Sequence, residues 1–144
     1  SGRYVNDSMG FYIGKQTVKK ILARGNSIKG ARVLVMGATF KEDVTDIRNS
    51  KVIDIIKELH SFQVDVDLVD PYASSDEMKH EYGVALVDQP GKDYNAIIVA
   101  VDHEKYIKMT EADFKSLMKG GDGVLVDVKG LYKGMINDLE YWSL

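Results

Sequence analysis

Residues 31–50 have the sequence ARVLVMGATFKEDVTDIRNS, and this segment is the most informative about the fold class. Its first part, Ala31–Met36, is a short apolar run, which is typical of a strand buried on both faces. The run ends at Gly37, and the mostly polar residues that follow, up to Asn49, predict a loop at the carboxyl end of that strand. Ser50–Phe62 then has apolar residues at helical spacing, which predicts an amphipathic helix.

The rest of the chain repeats this alternation. Further strands are predicted at Gln63–Val69, Gly83–Val87, Asn95–Val101 and Gly123–Val128, and helices at Asp76–Tyr82 and Thr110–Met118. Three of the strands are apolar throughout, which favours a parallel sheet covered by helices on both sides. Because crossovers between parallel strands are right-handed, we predict a Rossmann-like, doubly wound α/β domain. The tail with Tyr141 and Trp142 either adds a last short strand or packs on the surface.

One long helix is predicted before the first strand, over Val5–Arg24, because its apolar residues recur at close to helical spacing. Gly25 and Asn26 form the stop signal that ends it. An apolar face on such a helix is a candidate partner surface, and we expect it to form a homodimer. We therefore divide the chain into residues 1–28, a linker and dimerisation helix, and residues 29–144, a ligand-binding domain.

Composition excludes several classes of function. The 144 residues fit one domain of ordinary globular composition, with 44% hydrophobic and 28% charged residues. A net charge of −3 argues against a nucleic-acid partner. No apolar run approaches the ~18–20 residues of a membrane span, so no membrane partner is expected. The first residues contain no hydrophobic signal region, and a cytoplasmic location is therefore expected.

The chain contains no cysteine, which excludes disulfides, thiolate zinc sites and a cysteine nucleophile within it. Three histidines are present, and none shows the spacing of a metal site. We expect each of them on the surface or at a helix end: His60, His80 and His103. No bound metal is predicted.

Ligands of open α/β sheets bind beyond the carboxyl ends of the strands, near the point where the strand order switches. The Gly37–Asn49 loop lies at such an end, but it lacks the second and third glycines of the dinucleotide fingerprint. It supplies instead the Phe40 ring, the Lys41 amine and the Arg48 guanidinium, which suit a base or sugar together with phosphate groups. The alternative is a solvated loop whose charges pair with one another.

Polar residues also follow the later strands at the same predicted edge. Lys129 follows the Gly123–Val128 strand, where a cation either faces a ligand or is simply solvated. Asp102 and His103 end another strand and can line the same crevice, although an ordinary surface role is the preferred interpretation.

Three aspartates of the second strand and its end are assigned structural roles. Asp70 occupies a place where an acid can hold a ribose, but it lies too far from Gly37 for the dinucleotide motif, which spaces them by ~20 residues. We prefer the interpretation that Asp70 and the proline after it form a turn. Asp65 and Asp67 alternate along the strand and are expected to face solvent.

The loop closely resembles the signature of the UDP-glucose/GDP-mannose dehydrogenase family, in its C-terminal domain. The matching pattern is G-x-T-F-K from Gly37, then D-x-R ending at Arg48, then Asn-Ser. Three flanking segments also resemble the family: Arg3–Met9, Val69–Tyr72 and Val126–Gly130. The similarity covers essentially the whole chain. Its details are most similar to the branch that acts on UDP-N-acetylhexosamines, such as UDP-N-acetylmannosamine or UDP-N-acetylgalactosamine.

The resemblance implies an enzyme larger than this chain. Full-length members oxidise the C6 alcohol of the sugar to a carboxylate in two steps with two NAD, in the service of polysaccharide biosynthesis. They hold NAD on an N-terminal Rossmann domain and use a cysteine that precedes the linker helix. This chain begins after that cysteine, so the resemblance implies that residues 1–28 end the central domain. It also implies no catalytic residue in this chain and no activity of the chain alone.

The resemblance also assigns roles to individual residues. Phe40 and Lys41 match residues that contact the nucleotide sugar, and Lys129 matches a basic substrate-binding position that is commonly arginine in other branches. Arg48 matches a residue that reaches across the domain cleft towards NAD. Two alternatives stay open: the same domain of a UDP-glucose 6-dehydrogenase, or a stand-alone nucleotide-binding or regulatory module.

Overall fold

The computed structural model describes residues 2–38, 51–83 and 86–144, in which strands and helices alternate along the chain. In chain order these elements are α1 (Gly2–Ala23), β1 (Arg32–Met36), α2 (Val52–Ser61), β2 (Asp65–Val69), α3 (Ser75–Tyr82), β3 (Ala96–Val99), α4 (Glu104–Ile107), α5 (Glu111–Leu117), a 3-10 turn (Lys119–Gly121), β4 (Val124–Asp127) and β5 (Glu140–Ser143). Among these elements, no helix is both long and apolar enough to pass through a lipid bilayer.

The strands form one sheet in the order β2-β1-β3-β4-β5, and every neighbouring pair is parallel. The chain moves from β1 outwards to β2 and then returns to β3 on the other side of β1. Strand order therefore switches between β1 and β3, which puts a crevice at the carboxyl ends of these two strands. The predicted Rossmann-like, doubly wound α/β fold is confirmed.

The predicted strand Gly83–Val87 lies partly outside the described residues. In its described part Leu86 forms a parallel bridge to Leu68, and the Val87 backbone N–H donates to the Leu68 carbonyl oxygen at 2.9 Å. The single-turn helix α4 was not predicted. The tail does add a strand, since β5 pairs with β4 along its whole length.

The central strands contribute to two cores because successive residues of a strand point to opposite faces of the sheet. One face packs against α1 and α2 through Val33, Val35, Ala96, Ile98, Val124 and Val126. The other packs against α4, α5 and the segment after β4 through Leu34, Met36, Ile97, Val99 and Leu125. Burial on both faces explains why these strands are continuous apolar runs in the sequence.

The long N-terminal helix α1 packs on α2 and belongs to the first of these cores. Its residues Ile13, Val18 and Ile21 are buried there, whereas Tyr12 and Leu22 remain exposed. Much of the apolar face that was predicted to meet a partner is thus covered within the chain. The expectation of a homodimer through this helix therefore depends on the apolar side chains that remain exposed.

Two glycines one helical turn apart allow α1 to approach α2 closely. A Cβ atom on Gly10 would lie 2.6 Å from the Lys51 carbonyl oxygen, and one on Gly14 would lie 2.8 Å from the Glu58 Cβ atom. Real Cβ atoms do not tolerate such distances, so the helix crossing requires the absence of side chains at both positions.

We predict that Gly10→Ala lowers the free energy of unfolding by about 1–3 kcal/mol, the usual effect of overpacking. The sign of the change in unfolding free energy distinguishes a crowded position from an open one, because replacing glycine by alanine within an uncrowded helix stabilises it by roughly 0.5–1 kcal/mol. Urea denaturation measures the change, and Lys15→Ala, at an exposed position of the same helix, is the control. A Gly10→Ala variant more stable than the wild type would contradict the close crossing.

Candidate functional site

The candidate site lies at the carboxyl edge of the sheet, where the loops after β1, β2, β3 and β4 leave their strands. Three of the predicted site residues, Phe40, Lys41 and Arg48, fall outside the described residues. Lys129 is described, and its exposed side chain lies in the turn after β4. The described residues around these positions show how the edge is built.

The end of β1 is fixed by backbone contacts at Gly37. Its N–H donates to the Val69 carbonyl oxygen at 2.8 Å, continuing the ladder between β1 and β2. A Cβ atom at this position would lie 2.8 Å from the Val101 side chain, and φ is 107°, so the position requires glycine. The backbone at the carboxyl end of β1 is therefore fixed as far as the described residues extend.

Asp70, the residue after β2, joins three segments of this edge. Its Oδ2 atom accepts hydrogen bonds from the Ala38 backbone N–H at 2.6 Å and from His103 Nε2 at 3.0 Å. Its Oδ1 atom accepts from the backbone N–H groups of Tyr72 at 2.7 Å and Ala73 at 2.9 Å. The predicted turn-forming role is thus correct, and the same carboxylate also reaches the loops after β1 and β3.

The ionised form of Asp70 is strongly favoured. Burial of the side chain by itself would raise the pKa, but the hydrogen bonds from His103 and from the backbone N–H groups outweigh it and lower the pKa to about 2. Because an ionised carboxylate only accepts hydrogen bonds, His103 must carry its proton on Nε2.

His103 is buried, which corrects the expectation of a surface position. It does precede α4, as a helix-end residue would, but its side chain is fully enclosed. The ring packs between Tyr72, with centroids 4.8 Å apart, and Tyr106, at 5.4 Å. Its pairing with Asp70 is the reason for this burial, since a polar ring is stable in the interior only when it is hydrogen-bonded.

A second buried carboxylate, Asp127, closes the turn that carries Lys129. Its oxygens accept from the backbone N–H groups of Leu131 at 2.9 Å and Tyr132 at 2.8 Å. The Tyr141 hydroxyl of β5 also donates to it, at 2.6 Å. Burial, together with this hydrogen bond, raises the pKa of Tyr141 to about 12, so the phenol remains a donor. Asp127 was not singled out from the sequence.

Two further aspartates lie on β2, and a third follows β3. Asp65 is exposed as predicted, but Asp67 does not simply face solvent: it accepts from the Tyr94 hydroxyl at 2.6 Å and from Arg32 at 3.1 Å. Asp102 is half-buried, and its Oδ1 atom is buried without a hydrogen-bond partner among the described residues.

A cavity of about 440 Å³ opens beside this edge, between α4, α5 and the segment 88–90. Met36, Val69 and Tyr106 contribute apolar surface to it. Two lysines and three aspartates also line it: Lys105, Lys108, Asp70, Asp88 and Asp113. No described group of three or more histidine, aspartate or glutamate residues is placed to hold a metal ion. The edge therefore combines exposed lysines and aromatic rings, which can contact an organic phosphate, with carboxylates that are in part bonded within the chain.

Comparison with known proteins agrees with this chemistry. Residues 34–134 match the model of the UDP-glucose/GDP-mannose dehydrogenase family, UDP binding domain. The UDP-N-acetyl-D-glucosamine 6-dehydrogenase of Pseudomonas aeruginosa is 42% identical over 140 residues, which cover 96% of this chain and 33% of that protein. Protein CapL of Staphylococcus aureus is 37% identical over 132 residues, covering 91% of this chain and 31% of that protein. The chain thus spans about a third of the length of these relatives.

Two solved structures contain a part with the same fold as this chain. The UDP-N-acetyl-mannosamine dehydrogenase Cap5O of Staphylococcus aureus superposes with a TM-score of 0.75 at 28% identity, covering 99% of this chain and 32% of that one. The NDP-N-acetyl-D-galactosaminuronic acid dehydrogenase of Methanosarcina mazei Go1 reaches a TM-score of 0.84 at 22% identity, covering 98% and 30%. At 22% identity, the similarity to the Methanosarcina mazei protein shows a shared fold only.

The low pKa of Asp70 predicts a specific dependence of stability on pH. A carboxylate whose pKa is 3.8 unfolded and about 2 folded stabilises the fold above pH ~4 and loses that contribution as pH falls through 2. Relative to Asp70→Asn, the wild type should lose about 2 kcal/mol of unfolding free energy between pH 5 and pH 2. Urea denaturation at several pH values measures this difference. Parallel curves for the two proteins would show that Asp70 is not the stabilising carboxylate.

Proposed function

Because the chain belongs to the UDP-glucose/GDP-mannose dehydrogenase family, we propose that it is the nucleotide-sugar-binding domain of an NAD-dependent UDP-N-acetylhexosamine 6-dehydrogenase. Its match to the UDP-binding domain of that family supports the nucleotide, and the names of the relatives from Pseudomonas aeruginosa and Staphylococcus aureus support an N-acetylated sugar.

The observation that carries this proposal is the placement of the two candidate loops. The loop after β1 and the turn after β4 leave the same edge of the sheet, on either side of β3. Neighbouring strands are ~4.8 Å apart, so the ends of β1 and β4 are separated by roughly 10 Å. A nucleoside diphosphate can bridge that gap, with its charged phosphates between the two loops.

Within this half-site we assign Phe40, Lys41 and Lys129 to the UDP-sugar. The Phe40 ring packs against the base or sugar, and the two amines neutralise the diphosphate as point charges. Lys129 suits this role because its side chain is exposed on a turn that Asp127 holds in place. Arg48 is assigned to NAD, whose phosphates a guanidinium can grip bidentately.

The chemistry of the whole enzyme depends on parts outside this sequence. We propose that it oxidises the sugar C6 alcohol to a carboxylate, with NAD as hydride acceptor bound mainly by another domain. The chain has no cysteine for a covalent intermediate and should be inactive alone. Phe11, Tyr12 and Leu22 on α1 remain exposed and support a homodimer through this helix. The enzyme would act in the cytoplasm, in polysaccharide biosynthesis.

Titration of UDP and of a UDP-N-acetylhexosamine into the isotope-labelled chain, followed by backbone amide NMR, tests the half-site. We expect shifts at 37–48 and 127–131, with millimolar affinity, about −4 kcal/mol, because half of the pocket is missing. Lys41→Ala should abolish them. Lys119→Ala, an exposed lysine that precedes β4 at the opposite edge of the sheet, should leave them unchanged.

Two outcomes would overturn the assignment. Shifts confined to the 70–74 turn would place the ligand elsewhere, and an unchanged response in Lys41→Ala would remove that amine from the site. No binding of either nucleotide at 20 mM would refute the proposed function itself.

A further inference from the structure

We propose that Asp102 is a ligand-binding residue: its carboxylate accepts a hydrogen bond from a hydroxyl group of the nucleotide sugar. This inference rests on the proposed function and deepens it. It adds a hydrogen-bond acceptor to a half-site whose other proposed side chains are cationic or aromatic.

Asp102 carries an oxygen atom that the fold leaves unsatisfied. The residue is half-buried, and its Oδ1 atom is buried without a hydrogen-bond partner among the residues that the structure describes. A buried acceptor without a partner destabilises a fold, and such atoms are therefore rare in proteins. Folding alone does not explain an aspartate at this position, whereas a ligand that donates to the oxygen does.

The position of Asp102 in the sheet favours a ligand. The residue follows β3, which lies between β1 and β4, so it stands between the two strand ends to which the UDP-sugar is assigned. The strand order also switches beside β3, and ligands of doubly wound sheets bind at such a point. A nucleotide held between the ends of β1 and β4 would pass across the end of β3.

The residues on both sides of Asp102 are held in place. Val101, which precedes it, lies so close to Gly37 at the end of β1 that a Cβ atom there would be only 2.8 Å away. His103, which follows it, is buried and hydrogen-bonded to Asp70. The backbone of Asp102 is thus fixed before a ligand arrives, which reduces the entropy lost on binding.

The charges at this edge indicate which part of the ligand Asp102 contacts. A carboxylate repels phosphate groups but accepts hydrogen bonds from hydroxyl groups. Lys129, on the turn after the neighbouring strand, supplies an exposed cation that forms no ion pair within the described ranges. An acceptor and a cation that do not pair with each other suit a ligand with both hydroxyl groups and phosphates. In a UDP-sugar these hydroxyl groups belong to the ribose or to the hexosamine.

Stability separates a ligand-binding role from a structural one. Asp102→Leu removes both acceptor oxygens at similar side-chain size, and Asp67→Leu is the matched control. Asp67 is also half-buried, but it accepts hydrogen bonds from Tyr94 and Arg32. In urea denaturation we expect an equal or higher midpoint for Asp102→Leu and a lower midpoint for Asp67→Leu. An Asp102→Leu chain that does not fold, or whose midpoint lies below that of the wild type, would overturn the proposal.

Binding is measured by titrating UDP and UDP-N-acetylglucosamine into the isotope-labelled chains under conditions in which each is folded. We expect Asp102→Leu to bind at least one of the two nucleotides at least about fivefold more weakly than the wild type, because a hydrogen bond to a charged acceptor is lost. A loss already present with UDP assigns the hydroxyl group to the ribose, and a loss confined to UDP-N-acetylglucosamine assigns it to the sugar. Asp67→Leu should bind both within about twofold of the wild type.

The inference and the proposed function fail by different results. If the wild type binds and Asp102→Leu binds both nucleotides equally well or more tightly, only the role of Asp102 is refuted. An equal loss of binding in both variants refutes that role as well. If the wild type binds neither nucleotide at 20 mM, the proposed function is refuted, and the role of Asp102 with it.

Discussion

Asp70 and Asp127 are buried carboxylates at the carboxyl edge of the sheet, and the structure of the candidate site depends on how their charge is satisfied. An ionised group is stable in the interior only when donors surround it. Here most of the donors are backbone N–H groups of the loops that leave the strands. Hydrogen bonds to charged groups contribute about 1.5–3 kcal/mol each, so the residues that directly follow β1, β2 and β4 are held in place.

This edge requires a rigid sheet beneath it. The central strands are buried on both faces, which fixes their register, and α1 supports one face through a close crossing with α2 at Gly10 and Gly14. The N-terminal helix is therefore part of the support for the site as well as a candidate surface for a partner. β5 adds a further link, because its Tyr141 hydroxyl reaches Asp127.

The sequence predicted the elements with strong periodicity and missed features that depend on tertiary contacts. The apolar strands and the amphipathic helix after the first loop were found because their patterns reflect burial directly. Gly83–Val87 has a similar pattern, and in its described part Leu86 forms a parallel bridge to Leu68. The buried pair of Asp70 and His103 joins residues 33 positions apart, and no local pattern marks it. The roles of Phe40, Lys41 and Arg48 remain predictions from resemblance.

A crystal structure of this chain with UDP would locate the ligand directly. We expect the diphosphate at the carboxyl edge between the ends of β1 and β4, with the Nζ atoms of Lys41 and Lys129 within about 4 Å of its oxygens, the usual limit for an ion pair. Asp70 and Asp127 should keep their backbone hydrogen bonds unchanged. UDP bound instead in the cavity beside Lys105 and Lys108, with no ligand between the ends of β1 and β4, would refute the proposed half-site.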